Sequence, residues 1–167
     1  MMASVGLGTF TVTGAGLLLS GASSRAAPLS SGPKRRLPIP PLLGADGHQA
    51  LQLSLREGKH EMLAGFQTPS LGFNGACLGP TLRVRKGEDV GLHYRNTLSE
   101  AVAIHHHGLH VPGHLDGGPQ REIEAGGRWE LEIPIRQQAS TSWYHPHTHG
   151  RTAEQTYQGL AGMLIID

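Results

Sequence analysis

Thiols are almost absent from this chain. Cys77 is the single cysteine in 167 residues. No intrachain disulfide can form, and the chain alone cannot carry a thiolate-rich zinc site or an iron–sulfur cluster. Net charge is nearly absent too: 14 Lys and Arg face 13 Asp and Glu, a formal balance of +1. No strong field therefore points to nucleic acid or a membrane surface as a partner. His-Glu-x-x-His does not occur, which removes the helical zinc-protease motif. Long helix-forming runs are few. What the chain does hold is 24 glycines and 11 prolines, which favours a loop-rich all-β domain.

The first part of the chain differs from the rest. Residues 5–19 are apolar and uncharged, and the small residues of Gly21-Ala22-Ser23-Ser24 follow. Residues 1–27 read as an export signal, which predicts a periplasmic or otherwise exported protein. The run is too short and too glycine-rich for a stable membrane span. No Lys or Arg precedes it, and Arg35-Arg36 comes after it, so a twin-arginine signal is not formed. An N-terminal arm without fixed structure is the plainer account of the same segment. Residues 28–43 read as a linker, extended by Pro38, Pro40 and Pro41. Residues 44–167 read as one domain.

Within that domain the apolar residues alternate. Leu51, Leu53 and Leu55 mark one half-buried strand, and Leu82 with Val84 a second. Val90, Leu92 and Tyr94 mark another, as do Leu131, Ile133 and Ile135. Val102-Ala103-Ile104, Ser140 onward, and Met163 to Ile166 complete seven or so strands. Gly72-Phe73-Asn74-Gly75 carries an Asn-Gly hairpin signal, and residues 154–158 could make one helical turn. The spacing predicts a Greek-key β-sandwich.

Eight of the eleven histidines fall between His105 and His149. They form two clusters, His105-His106-His107-Gly108 and Trp143-Tyr144-His145-Pro146-His147-Thr148-His149-Gly150. On a strand, residues two apart share a face. His105 pairs with His107, and His145 with His147, while His106 points the other way. Such neighbours are roughly 7 Å apart at the backbone, so a pair is better placed to serve two ions than one. Neutral imidazole suits copper, zinc, iron and nickel. One His-x-His alone is a weak signal, since surface pairs are common. Two of them, each at a strand end and each closed by glycine, are a strong one. Core and sheet packing is the reading given to Trp143 and Tyr144, and a small buried apolar residue the reading given to Cys77. His110 and His114 are expected on solvent-facing loops.

These stretches resemble a known family. Leu37-Pro38-Ile39-Pro40, Gly72-Phe73-Asn74-Gly75, Leu78-Gly79-Pro80-Thr81, His105-His106-His107-Gly108-Leu109, Val111-Pro112-Gly113, Asp116-Gly117-Gly118-Pro119-Gln120, Trp143-Tyr144-His145-Pro146-His147 and Gly159-Leu160-Ala161-Gly162 are similar to the first cupredoxin domain of the multicopper oxidases. The likeness is strongest to bacterial periplasmic cuprous oxidases of the copper-efflux type. The resemblance implies a cupredoxin-like Greek-key sandwich that binds copper. By it, His105 is a type 2 ligand, and His107, His145 and His147 are type 3 ligands. Asp116 corresponds to the family's proton-delivery acid near the copper-bound water. An Asp-Gly-Gly turn also favours Asp for its own sake, and both roles stay open for Asp116. His149 is not assigned as a ligand. His106 departs from the family's commonest pattern, an aromatic such as Trp.

The resemblance also says what this chain does not supply. A trinuclear centre takes eight histidines, and four are here. The other four and the type 1 copper belong in the family to a C-terminal cupredoxin domain. The expected partners are therefore those missing domains or another chain, dioxygen, and a reducing substrate such as cuprous ion or a phenol. The chain ends where the first domain's last strand would end, which reads as a truncated or split product, inactive alone. Two alternatives accompany that reading. One is a stand-alone periplasmic copper buffer. The other is a structural relative of the division-associated type, which keeps the fold without the copper ligands; the retained histidines argue against it.

Overall fold

A computed structural model describes residues 37–45 and 49–167. The segment read as an export signal, and most of that read as a linker, lie outside the described residues. Among the described residues, ten strands and two short helices follow in order. They are β1 (Leu42–Gly44), β2 (Leu51–Leu63), β3 (Phe66–Phe73), β4 (Thr81–Val84), β5 (Asp89–Asn96), β6 (Val102–His107), α1 (Gly113–Asp116), β7 (Glu122–Ile123), β8 (Arg128–Pro134), β9 (Ser140–Pro146), α2 (Thr152–Tyr157) and β10 (Gly162–Ile166). One sheet runs β1-β4-β10-β9-β6-β7 and the other β3-β2-β5-β8.

The core lies between the sheets. Leu51, Leu53, Leu55, Leu92, Tyr94 and Ile133 face it from the four-stranded sheet, and Leu82, Ile104, Tyr144 and Ile166 from the six-stranded one. Each fully buried Leu or Ile is worth roughly 1.5–3 kcal/mol, so this alternation is what fixes the register of every strand. Parallel pairings of β1 with β4, β4 with β10, and β2 with β5 require the chain to cross between sheets, as in a Greek key. The predicted all-β sandwich is the observed fold.

Three expectations need adjustment. Gly72-Phe73-Asn74-Gly75 does turn, and Asn74 takes the left-handed φ of 61°. It does not join a hairpin, however. The Asn74 side chain bonds the Ser54 amide and the Gln52 carbonyl, and the chain passes from β3 in one sheet to β4 in the other. Leu42 and Leu43, the end of the segment read as linker, pair with Thr81 and Leu82 as β1. The strand at Leu51 runs to Leu63, and β3 returns beside it. Pro69 hid β3 in the sequence; an edge strand tolerates it because no ladder bond is lost on the outer side. Among the described residues, no helix is long and apolar enough to cross a membrane.

Candidate metal centre

The two histidine motifs lie on neighbouring antiparallel strands. β6 and β9 pair so that His105 faces His145, His106 faces Tyr144 and His107 faces Trp143. This register follows from burial. Ile104, His106 and Tyr144 are fully buried on the inner face, which forces their neighbours outward. The outer face then carries His105, His107, Trp143 and His145, and His147 follows directly after β9.

The rings lean together beyond what the backbone spacing requires. One ligand nitrogen from each of His105, His107 and His145 lies within 4.8 Å of the other two. His147 lies beside this trio, its ring centre 5.4 Å from that of His105. His149 is exposed and stands apart.

Hydrogen bonds select the tautomers. His105 Nδ1 is 2.9 Å from the Asp116 carbonyl, and His145 Nδ1 is 2.8 Å from the Pro146 carbonyl. A carbonyl can only accept, so both Nδ1 atoms carry the proton and both Nε2 atoms present lone pairs. That is how a metal-binding imidazole is prepared. His107 Nδ1 lies 3.3 Å from His145 Nε2, so these two rings converge. Burial, and then the neighbouring imidazoles, hold His145 below the usual histidine range. This favours the neutral form, which ligation requires. The donor set is all nitrogen, borderline-soft and without a thiolate; copper fits it.

Asp116 ends α1, and its carboxylate lies 3.5 Å from His105 Nδ1. The structure thus sets Asp116 beside the cluster with its carbonyl on a histidine and its carboxylate half-exposed. Gly117 follows with φ 77°, and a side chain there would overlap the Ile104 carbonyl, so only glycine lets α1 sit against β6.

Two residues behave differently from expectation. Tyr144 packs in the core and donates to the Pro80 carbonyl at 2.8 Å, as expected. Trp143 does not; it is 39% exposed and stacks on His145 with ring centres 3.9 Å apart. Strand alternation puts Trp143 on the face of His145, a signal already present in the sequence. Cys77 is half-buried rather than buried, and desolvation raises its thiol. His110 and His114 are exposed as expected.

Sandwich topology and paired imidazoles together define a cupredoxin-like domain. The chain belongs to the multicopper oxidase family, whose model, described as "Multicopper oxidase", matches residues 54–167. Among solved structures, a bacterial laccase-like multicopper oxidase, CueO, from the lignin-degrading bacterium Ochrobactrum sp. superposes with a TM-score of 0.77 at 43% identity. That likeness covers 79% of this chain and 30% of that one. A multicopper oxidase of Campylobacter jejuni described as a metallo-oxidase gives 0.72 at 34% identity, over 78% of this chain and 29% of that one. Among curated proteins, the cell division protein FtsP of Salmonella typhimurium is 45% identical over 138 residues, 83% of this chain and 29% of its own length. The FtsP of Escherichia coli K12 is 44% identical over the same span. The chain covers under a third of the relatives it matches.

Proposed function

We propose that this domain binds copper through His105, His107, His145 and His147 and supplies half of a trinuclear oxidase centre. The observation that carries this reading is the set of outward imidazoles whose Nδ1 protons are already committed to the Asp116 and Pro146 carbonyls. When bound, copper would supply one-electron redox chemistry toward dioxygen at this face. The chain's own residues bind and orient. His105 and His145 are held in one tautomer, Trp143 walls the cluster on the His145 side, and Asp116 stands where a carboxylate can hold or pass a proton near His105. A domain of the same family, on the missing part of a longer chain or on a partner, would complete the ligand set and bring electrons from cuprous ion or a phenol. The work would take place outside the cytoplasm; the apolar residues 5–19 support that.

A second reading has its own support. The curated relatives named above are cell division proteins, at 44–45% identity. A division-associated role without redox turnover fits that likeness, and a copper buffer fits the four imidazoles alone. Titration of the purified domain with cupric ion against a competing chelator separates these. Retained copper, lost in the double substitution His145→Ala with His147→Ala, supports the copper reading. A wild-type domain that gives up all its copper on dialysis favours the division-associated one.

A further inference from the structure

His106 has no place in the ligand set, yet it is fully buried and both ring nitrogens are bonded. Its Nδ1 is 3.2 Å from the Leu115 carbonyl, and its Nε2 is 2.8 Å from the Tyr94 hydroxyl. The carbonyl fixes the proton on Nδ1, so Tyr94 donates to Nε2. The ring also packs against Trp129, with centres 5.8 Å apart. Leu115 and Asp116 are consecutive residues of α1. Their two carbonyls therefore take N–H bonds from two consecutive imidazoles of β6, His106 on the inner face and His105 on the outer.

We propose that His106 is a positioning residue: by holding the Leu115 carbonyl it sets the Asp116 carbonyl against His105 Nδ1, and so keeps His105 Nε2 free for copper. This deepens the copper reading and rests on it. The physical steps are short. Among the described residues, the side-chain bonds between β6 and α1 are these two imidazole–carbonyl bonds and the 3.5 Å approach of the Asp116 carboxylate to the same His105. α1 is a single turn of four residues, too short to hold its own place. Gly117 lets it come close to the Ile104 carbonyl. Tyr94, through Nε2, aims the His106 ring from the core side. Without the Leu115 bond, the Asp116 carbonyl is free to drift, and His105 can exchange its proton between nitrogens. A bond of this supporting kind typically changes metal affinity 10–100-fold.

Asn and Gln divide the two ends of the imidazole. In His106→Asn the amide nitrogen stands near Nδ1 and can still donate to Leu115. In His106→Gln the amide reaches the Nε2 end, keeping Tyr94 but not Leu115. The expected result is cupric affinity within about twofold of wild type for His106→Asn and about tenfold weaker for His106→Gln. Long-range nitrogen–proton NMR of the metal-free domain should show His105 protonated at Nδ1 in wild type and His106→Asn, and as a tautomer mixture in His106→Gln. Tyr94→Phe should lower stability while leaving the His105 tautomer in place. The proposal is overturned if His106→Gln keeps the His105 tautomer, or if Asn weakens copper binding and Gln does not. The tautomer is read without metal, so it decides the matter even if wild type fails to bind copper, a result that would sink the copper reading alone.

Discussion

The two faces of the β6–β9 pair use the same residue type for opposite ends. On the inner face, His106 sits beside Tyr144 and Ile104, all fully buried. Its nitrogens are both satisfied, and desolvation lowers its pKa to about 4. On the outer face, His105 and His107 are half-buried and exposed, and His105 has one nitrogen committed and one open. A single-residue step along the strand separates an imidazole bonded at both nitrogens inside the core from one on the outer face that joins a cluster of three histidines. Histidine count therefore says little; which face each ring takes, and what holds its second nitrogen, says most. The comparison makes a clear demand. Inner-face changes should act on stability and outer-face changes on metal.

The largest effect is expected where the faces meet. Gly117 lies under β6, and a methyl group there would overlap the Ile104 carbonyl at a φ of 77°. The left-handed backbone costs an alanine about 1 kcal/mol, and the overlap adds about 1–3 kcal/mol more. Gly117→Ala should lose roughly 3 kcal/mol in urea unfolding. A loss under about 1 kcal/mol would mean that α1 does not press on β6.

The inner face comes next. Tyr144→Phe removes the bond to the Pro80 carbonyl, which lies in the core. Leaving that carbonyl unpaired costs about 1–3 kcal/mol. The same hydroxyl shapes the pH response. Burial raises the Tyr144 and Tyr94 phenols above their ordinary value of 10.0. The folded chain then keeps protons that the unfolded chain releases, so the unfolded state binds fewer and stability falls as pH rises. Stability should be intact below about pH 10 and decline above it. Tyr144→Phe should flatten that decline while lowering the plateau. An unchanged alkaline slope would show that Tyr144 ionises as freely folded as unfolded.

Much of this was legible in the residues. The His-x-His steps needed only the two-residue repeat of a strand. The four alternating segments became strands because each had an apolar face to bury. The remainder had local signals that pointed elsewhere. β3 carries Pro69, which reads as a break until its edge position is known. β1 is three residues with no alternation, and it exists because β4 offers a parallel edge. Trp143 looks like a packing residue because aromatic residues usually fill cores, although its parity with His145 places it outside. The second role of His106 depended on Leu115, nine positions away, a contact that no local pattern encodes.

The smallest expected change in stability is the sharpest test of the two faces. His107 is exposed at the end of β6, and its ring nitrogen Nδ1 lies 3.3 Å from another imidazole, His145 Nε2. Removing it opens no core cavity and strands no buried carbonyl, so His107→Ala should unfold within about 0.5 kcal/mol of wild type. Copper should respond differently. The nitrogen of His107 is one of the three that gather within 4.8 Å, and its loss leaves His105 and His145 without their common neighbour. Cupric affinity should fall at least about tenfold, the scale expected even for loss of a supporting group. Urea melts and chelator competition on the same preparation read both quantities. A variant that loses stability but keeps copper would invert the roles of the two faces, because the outer imidazole would then be holding the strand and not the ion.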